Sequence, residues 1–329
     1  MTAETSTAAR GAVGFRSDFE EFWRGIPHKG LFFGLLAGWL ALFHFLGNST
    51  FGYAKTGSLF SWLYWGYSVT PDDQHGFLIP FVVLGLMWWK RDQLLATPKR
   101  HWWPAVLLFV FALLLHIAGY MVQQTRVSLI AFFLGLYALM GVIWGPRWLQ
   151  ATFFPFFLFI FCVPVTTIAS TVTFPLRLLA TKITGIVCHV ILGINVIQDG
   201  TRIFDANGAY QYEVAAACSG IRSLTMIFAL TTIYAFTTFK SVWRILLVVA
   251  SAFPLAVAAN VLRLCSIIIA SEVFNPAVGK YVHESGWISL LPYVPAIIAM
   301  LVLGHWLREN SNSIAPAEPT LVPSAAQNS

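Results

Sequence analysis

Of the 329 residues, 57% are hydrophobic and only 10% charged, and the formal net charge is +6. Soluble domains carry roughly 25% charged residues, so this chain cannot cover a water-facing surface. One bundle of membrane helices therefore replaces the two soluble domains that length alone suggests, and the basic excess is a topology signal with no basic-aromatic nucleic-acid motif beside it.

Residues 1–29 are polar, mixed in charge and lack a cleavable leader pattern. They form an expected cytoplasmic N-terminal segment ahead of an uncleaved first helix. A span needs about 20 largely apolar residues. Eight candidates follow, at 30–47, 76–89, 103–121, 127–145, 148–165, 219–239, 243–270 and 287–307. The second is short, and 57–70 reads as an interfacial or re-entrant piece. Trp and Tyr gather near span ends, at Trp88-Trp89, Trp102-Trp103, Trp144 and Trp148, where amphipathic rings favour the headgroup region.

Residues 166–213 are the longest stretch outside these spans. Thr171 to Gly193 mixes apolar residues with Arg177, Lys182 and His189, with Pro175 near its start. It reads as an extracytoplasmic, interfacial amphipathic helix. Ile194 to Phe204 then suggests two short strands, a small hairpin, around Asp199-Gly200, and Asn207-Gly208 is a second turn. Ala209 to Val214 leads back to the membrane at Cys218. Residues 311–329, rich in Ser, Pro, Ala and Asn, are expected to be disordered. The expected fold is all-α: a polytopic membrane bundle over 30–307, with 308–329 a cytoplasmic tail.

With eight spans both termini share one side, and 12 of the 20 basic residues lie there against six opposite. The positive-inside rule makes that side cytoplasmic. Cys218, before the sixth span, and His283, before the eighth, then lie on the extracytoplasmic face. The two share a side whenever 219–239 and 243–270 are a pair.

Four cysteines (Cys162, Cys188, Cys218, Cys265) make no C-x-x-C pair and no metal-ligand spacing. Cys162 and Cys265 sit inside apolar runs, as small buried hydrophobes do. Cys218 is different. It stands at the mouth of a span, where helix N–H groups favour an anion, and Arg222 is one helical turn further in. A nearby cation lowers a thiol's pKa and makes it a nucleophile. The competing reading is a small residue in an Ala/Ser/Gly helix-packing patch that includes Ser219.

Arg263 lies seven residues before the expected outer end of its span, about 10 Å deep at 1.5 Å per residue. An ionisable group there costs at least ~2.5 kcal/mol by insertion scales, so it needs a partner. Asn260, three residues earlier on the same face, can supply one; a structural bond to backbone carbonyls is the alternative. His283 titrates near neutral pH and can move a proton, or can be a merely solvated loop histidine. Cys, His and Arg on one face form a coherent set for attack on a carbonyl, proton transfer and oxyanion stabilisation. Glu272 and Glu284 are both placed to orient His283.

Three segments, Ala217-Cys218-Ser219-Gly220-Ile221-Arg222-Ser223, Asn260-Val-Leu-Arg263 and His283-Glu-Ser-Gly-Trp287, resemble the exosortase/archaeosortase family in order and placement. Pro71-Asp-Asp-Gln-His75-Gly76 followed by Trp88-Trp89-Lys90 resembles that family's N-terminal His-Gly signature, departing from it at Gln74. The resemblance spans about 30–307 and includes no carboxy-terminal periplasmic domain of the kind some bacterial members carry. It implies a membrane cysteine transpeptidase in the bacterial inner membrane, its site facing the periplasm and needing no cofactor or metal. Its partner would be the C-terminal sorting signal of an exported protein, made of a short motif, a transmembrane helix and a basic tail. The protein would be passed through a Cys acyl-enzyme to water, lipid or glycan. By position the resemblance assigns the nucleophile to Cys218, the arginine to Arg263 and the histidine to His283. His75, at the same face, either shapes the site or is a helix-start histidine satisfied by Asp72 or Asp73. The reading from another class is a transporter or lipid-linked glycan flippase, with Arg222 and Arg263 binding an anion inside the bundle.

Overall fold

The computed structural model describes residues 4–50, 56–164, 166–205, 208–213, 221–285 and 288–308. The chain is mainly helical. In order, α1 is Glu4–Gly25, α2 Lys29–Leu46, α3 Leu59–Val69, α4 Ile79–Trp89, α5 Arg91–Ala96, α6 Ala105–Met121, α7 Thr125–Trp144 and α8 Pro146–Phe157. After α9 (Thr166–Val187) come three strands, β1 Val196–Asp199, β2 Arg202–Asp205 and β3 Gln211–Glu213. The chain then continues through α10 (Ile221–Thr238), α11 (Val242–Ala250), α12 (Ala252–Val273), α13 (Pro276–Glu284) and α14 (Val294–Trp306).

Three of the eight expected spans, 30–47, 127–145 and 243–270, fall on stretches long and apolar enough to cross a membrane, and the others fall on shorter helices. Among the described residues, four stretches are long and apolar enough to cross a membrane: Lys29–Leu46, Thr125–Trp144, Phe174–Leu192 and Val242–Val273. Apolar helices at Ala105–Met121, Pro146–Cys162, Thr225–Thr238 and Leu291–Trp306 are shorter. The expected second span differs. Its first two residues close a 3-10 helix, Pro71–Phe77, and α4 has 11 residues, about 16 Å, against a hydrocarbon core of about 30 Å. Pro71 opens the 3-10 turn and Pro80 sits in the first turn of α4. The segment expected to be interfacial, 171–193, lies in α9 and a π-helical end at Cys188–Leu192; by length and composition it qualifies as a span.

The amino-terminal half packs around α7. Trp39 of α2 donates its indole N–H to the Phe132 carbonyl, and a Cβ at Gly135 would come within 2.1 Å of the Trp39 ring, so glycine is what admits that ring. Trp148 is 1% exposed and Trp144 5%, whereas Trp103 is 75% exposed. The expectation that all these rings line the headgroup region is therefore corrected. The Trp144 and Trp148 rings meet at a tilt of 49°, centroids 4.8 Å apart, inside the core. The 1–29 segment is largely helical, and Phe15 and Phe22 of α1 pack on Trp88.

The hairpin at Asp199-Gly200 is present, with Gly200 at φ 59° and Asp199 paired to Arg202. A third strand extends it: β3 pairs with β2, Ile203 opposite Tyr212. Ile203, Tyr210 and Tyr212 cluster with Ile267 and Ile268, so the sheet caps the C-terminal end of α12.

Candidate active site

The carboxy-terminal end of α12 and the helix that follows build the best-defined part of the site. Phe274 and Asn275 make the turn. Asn275 caps α13, its side chain accepting from the Val278 N–H at 2.9 Å, and Pro276 fills the first helical position, where no N–H is needed. The histidine expected in a loop is therefore on a helix. Tight packing folds α13 back on α12. A Cβ at Gly279 would lie 1.8 Å from Ser271 Oγ and 2.4 Å from the Tyr212 hydroxyl, so only glycine permits the approach.

The consequence is a contact between two residues 20 apart in sequence. Arg263 lies ten residues before the end of α12, about 15 Å along its axis, and α13 runs back far enough to meet it. An Nη2 of Arg263 donates to the His283 carbonyl over 3.4 Å. The His283 imidazole is half-buried and stacks on Tyr212, ring centres 5.9 Å apart and planes 23° apart. Burial lowers the pKa of His283 first, the Arg263 charge lowers it further, and Glu284 opposes both. A half-buried imidazole beside a guanidinium is thus held neutral to lower pH than a free histidine, the form a general base requires.

The two candidate carboxylates separate. Glu272 accepts the Tyr210 hydroxyl at 2.7 Å, while Glu284 pairs at 3.8 Å with Lys280 and acts on His283 through its charge. Tyr212, whose hydroxyl lies 2.7 Å from Ser271 Oγ, carries the ring under His283. Sequence reasoning did not single out Tyr212 or Ser271. The alternation Tyr210-Gln-Tyr212 puts both rings on one strand face, which is the signal that could have found Tyr212.

Asn260 is 4% exposed. It does not bond the guanidinium as expected. Its Oδ1 and Arg263 Nε are both buried without a hydrogen-bond partner among the described residues. One accepts and one donates, a turn apart on α12. Leaving such groups unmade costs about 1–3 kcal/mol each, which a bound polar group would recover.

His75 is buried in the 3-10 turn beside Asp73, and Gly76 there is enclosed by the Tyr67 ring. That turn packs against α10, whose second residue is Arg222. Cys218 and Ser219 lie outside the described residues, immediately ahead of α10. The structure thus brings Arg263 and His283 together and packs the turn that carries His75 against α10.

The family model for transmembrane exosortases matches residues 65–303, which include every one of these positions. No curated protein and no solved structure matches the chain at a significant level.

Proposed function

The chain belongs to the transmembrane exosortase family, and from that premise we propose that it is a membrane cysteine transpeptidase acting on C-terminal sorting signals of exported proteins. The observation that carries the reading is the apposition of Arg263 and His283 created by the α12–α13 hairpin. In this account Cys218 gives its proton to His283 and attacks the scissile carbonyl. Arg263 holds the negative oxygen that develops. When the C–N bond breaks, His283 returns the proton to the leaving amine and leaves a thioester on Cys218. An acceptor nucleophile, deprotonated by the same imidazole, then releases the thiolate. Nucleophile, base and oxyanion donor make up the set that recurs on unrelated folds.

Arg263 Nε and Asn260 Oδ1 fit the peptide group being cleaved, one donating to a carbonyl and the other accepting an amide N–H. Ser219 and Arg222 flank the nucleophile, and His75 shapes the far wall. Read with eight spans, the distribution of Lys and Arg supports a bacterial inner-membrane location and a periplasm-facing site.

Two measurements test this. A membrane-impermeant thiol reagent should label Cys218 in intact cells once the other three cysteines are replaced; labelling only after lysis would reverse the topology. Cys218→Ala should abolish processing of a signal-bearing protein in cells. Undiminished processing would favour a transporter or flippase, which has no use for a thiol.

A further inference from the structure

We infer that the groove between α7 and α8 is a binding site for an anionic phospholipid, its acyl chain in the groove and its headgroup at the basic end of the bundle. One wall is a single face of α7, at Ile130, Phe133, Leu134 and Tyr137. The other is the outward face of α8 and the turn after it, at Phe153, Phe157 and Ile160. The cavity there holds 310 Å³. A second cavity of 430 Å³ shares Tyr137 and Phe153 with the first and extends it to Trp102, Pro146 and Gln150 at the start of α8. Together they follow α8 from Pro146 to Ile160, about 20 Å at 1.5 Å per residue.

From Phe153 to Val163 the upper cavity is about 15 Å long, long enough to seat most of an acyl chain. It is open on one side, so the identity of the occupant rests on the charge at its end. The walls of the upper cavity are almost wholly apolar, and the Tyr137 hydroxyl there donates its hydrogen to the Leu149 carbonyl at 2.5 Å. Phe153 and Ile160 are each 54% exposed, so the groove opens sideways.

Charge selects the headgroup. Four cations surround the first turn of α8. Lys90 donates to the Ala151 carbonyl at 3.3 Å, Lys99 lies 5.5 Å over the Trp148 ring, the Arg100 backbone bonds Trp144, and Arg147 projects from α8 itself. Among the described residues none of the four is in an ion pair. Gln150 is exposed between the groove and this cluster. A phosphodiester with its tail in the groove meets positive charge at the end where its headgroup must sit.

Native mass spectrometry of the full chain, released from mild detergent and titrated with phosphatidylglycerol or phosphatidylcholine, tests the proposal. One phosphatidylglycerol should be retained about tenfold more tightly than phosphatidylcholine. The double change Arg100→Gln and Arg147→Gln should erase that preference, and Leu134→Trp, which fills the groove, should weaken both lipids. Gln150→Glu disturbs no packing and should lower the preference even if Leu134→Trp fails to fold. Equal retention of the two lipids by the unaltered chain would overturn the proposal, as would a preference that survives both the arginine changes and Gln150→Glu. It would also fall if Leu134→Trp left lipid retention intact while blocking capture of a signal-bearing protein, for the groove would then dock a helix.

Discussion

The two halves of the bundle are packed differently. From α2 to α8 the core is built of large rings, Trp39, Phe43, Phe132, Trp144 and Trp148, locked by glycines such as Gly135. From α9 to α12 the large fully buried side chains are aliphatic, Ile203, Leu264, Ile267 and Ile268, and small or polar residues share the interior with them: Ala180, Ala252, Ala256 and Ala259 beside Thr181, Thr184, Thr231, Thr232, Asn260 and Ser271. Small residues let helices approach closely, and hydroxyls and amides then become affordable inside an apolar bundle. Both halves bury polar atoms without a hydrogen-bond partner among the described residues, Ser49, His116, Ser128 and Trp148 in the first; in the second, those of Asn260 and Arg263 lie a turn apart on α12, next to His283. Damage to the first half should change how much protein folds, and damage to the second should change what the folded protein does.

His283→Ala probes that difference most strongly. General acid–base help is typically worth 10²–10⁴-fold, so processing should fall by that factor while the amount of folded protein stays level. Loss of folded protein instead would mean that α13 is structural. Trp39→Ala should do the opposite. It empties a fully enclosed site and should cost about 3 kcal/mol of stability, read as a lower thermal midpoint in detergent, with processing per folded molecule unchanged. A lower rate per molecule would mean that the first half takes part in the chemistry.

Gly279→Val sharpens the contrast within the second half. The new Cβ falls on Ser271 Oγ and must push α13 outward, separating His283 from Arg263. Misplacement by about 1 Å can cost roughly a hundredfold in rate. The expected result is that loss together with a destabilisation of about 1–3 kcal/mol from overpacking, read separately as the rate per folded molecule and the melting midpoint; a near-normal rate per molecule would show that the hairpin does not position the histidine.

Glu284→Gln should have the smallest effect, and its sign is defined. Glu284 holds the His283 pKa up against burial and Arg263. Without the carboxylate the imidazole stays neutral to lower pH, so the acid limb of the processing rate should move to lower pH with the plateau unchanged. Movement to higher pH would mean that another group controls that limb.

Much of this architecture is legible in the sequence because apolar length and turn chemistry are local properties. The helices α2, α6, α7 and α12 and the Asp199-Gly200 turn all follow from such signals. Where tertiary packing decides, the sequence is silent. Trp144 and Trp148 sit at helix ends as interfacial rings do, yet they turn inward, because neighbouring helices offer them a core. The run at 76–89 looks like a short span, but its first residues belong to the 3-10 turn that Pro71 opens, and the α-helix that remains is short. His283 reads as a loop residue, although Asn275-Pro276 is a helix-start pair that marks α13. Arg263 and His283 were identifiable as residue types on one end of the bundle. Their contact depends on Gly279 meeting Ser271, and no spacing rule reveals that.

The central claim is that Cys218 carries the acyl group while the Arg263–His283 pair drives the transfer. Incubating the purified full chain with a protein bearing a sorting signal, quenching in acid and mapping peptides by mass spectrometry tests it directly. A substrate-derived thioester is expected on the peptide containing Cys218, strongly depleted in His283→Ala and absent in Cys218→Ala. Cleaved substrate with no adduct on Cys218, or cleavage that persists in Cys218→Ala, would contradict it.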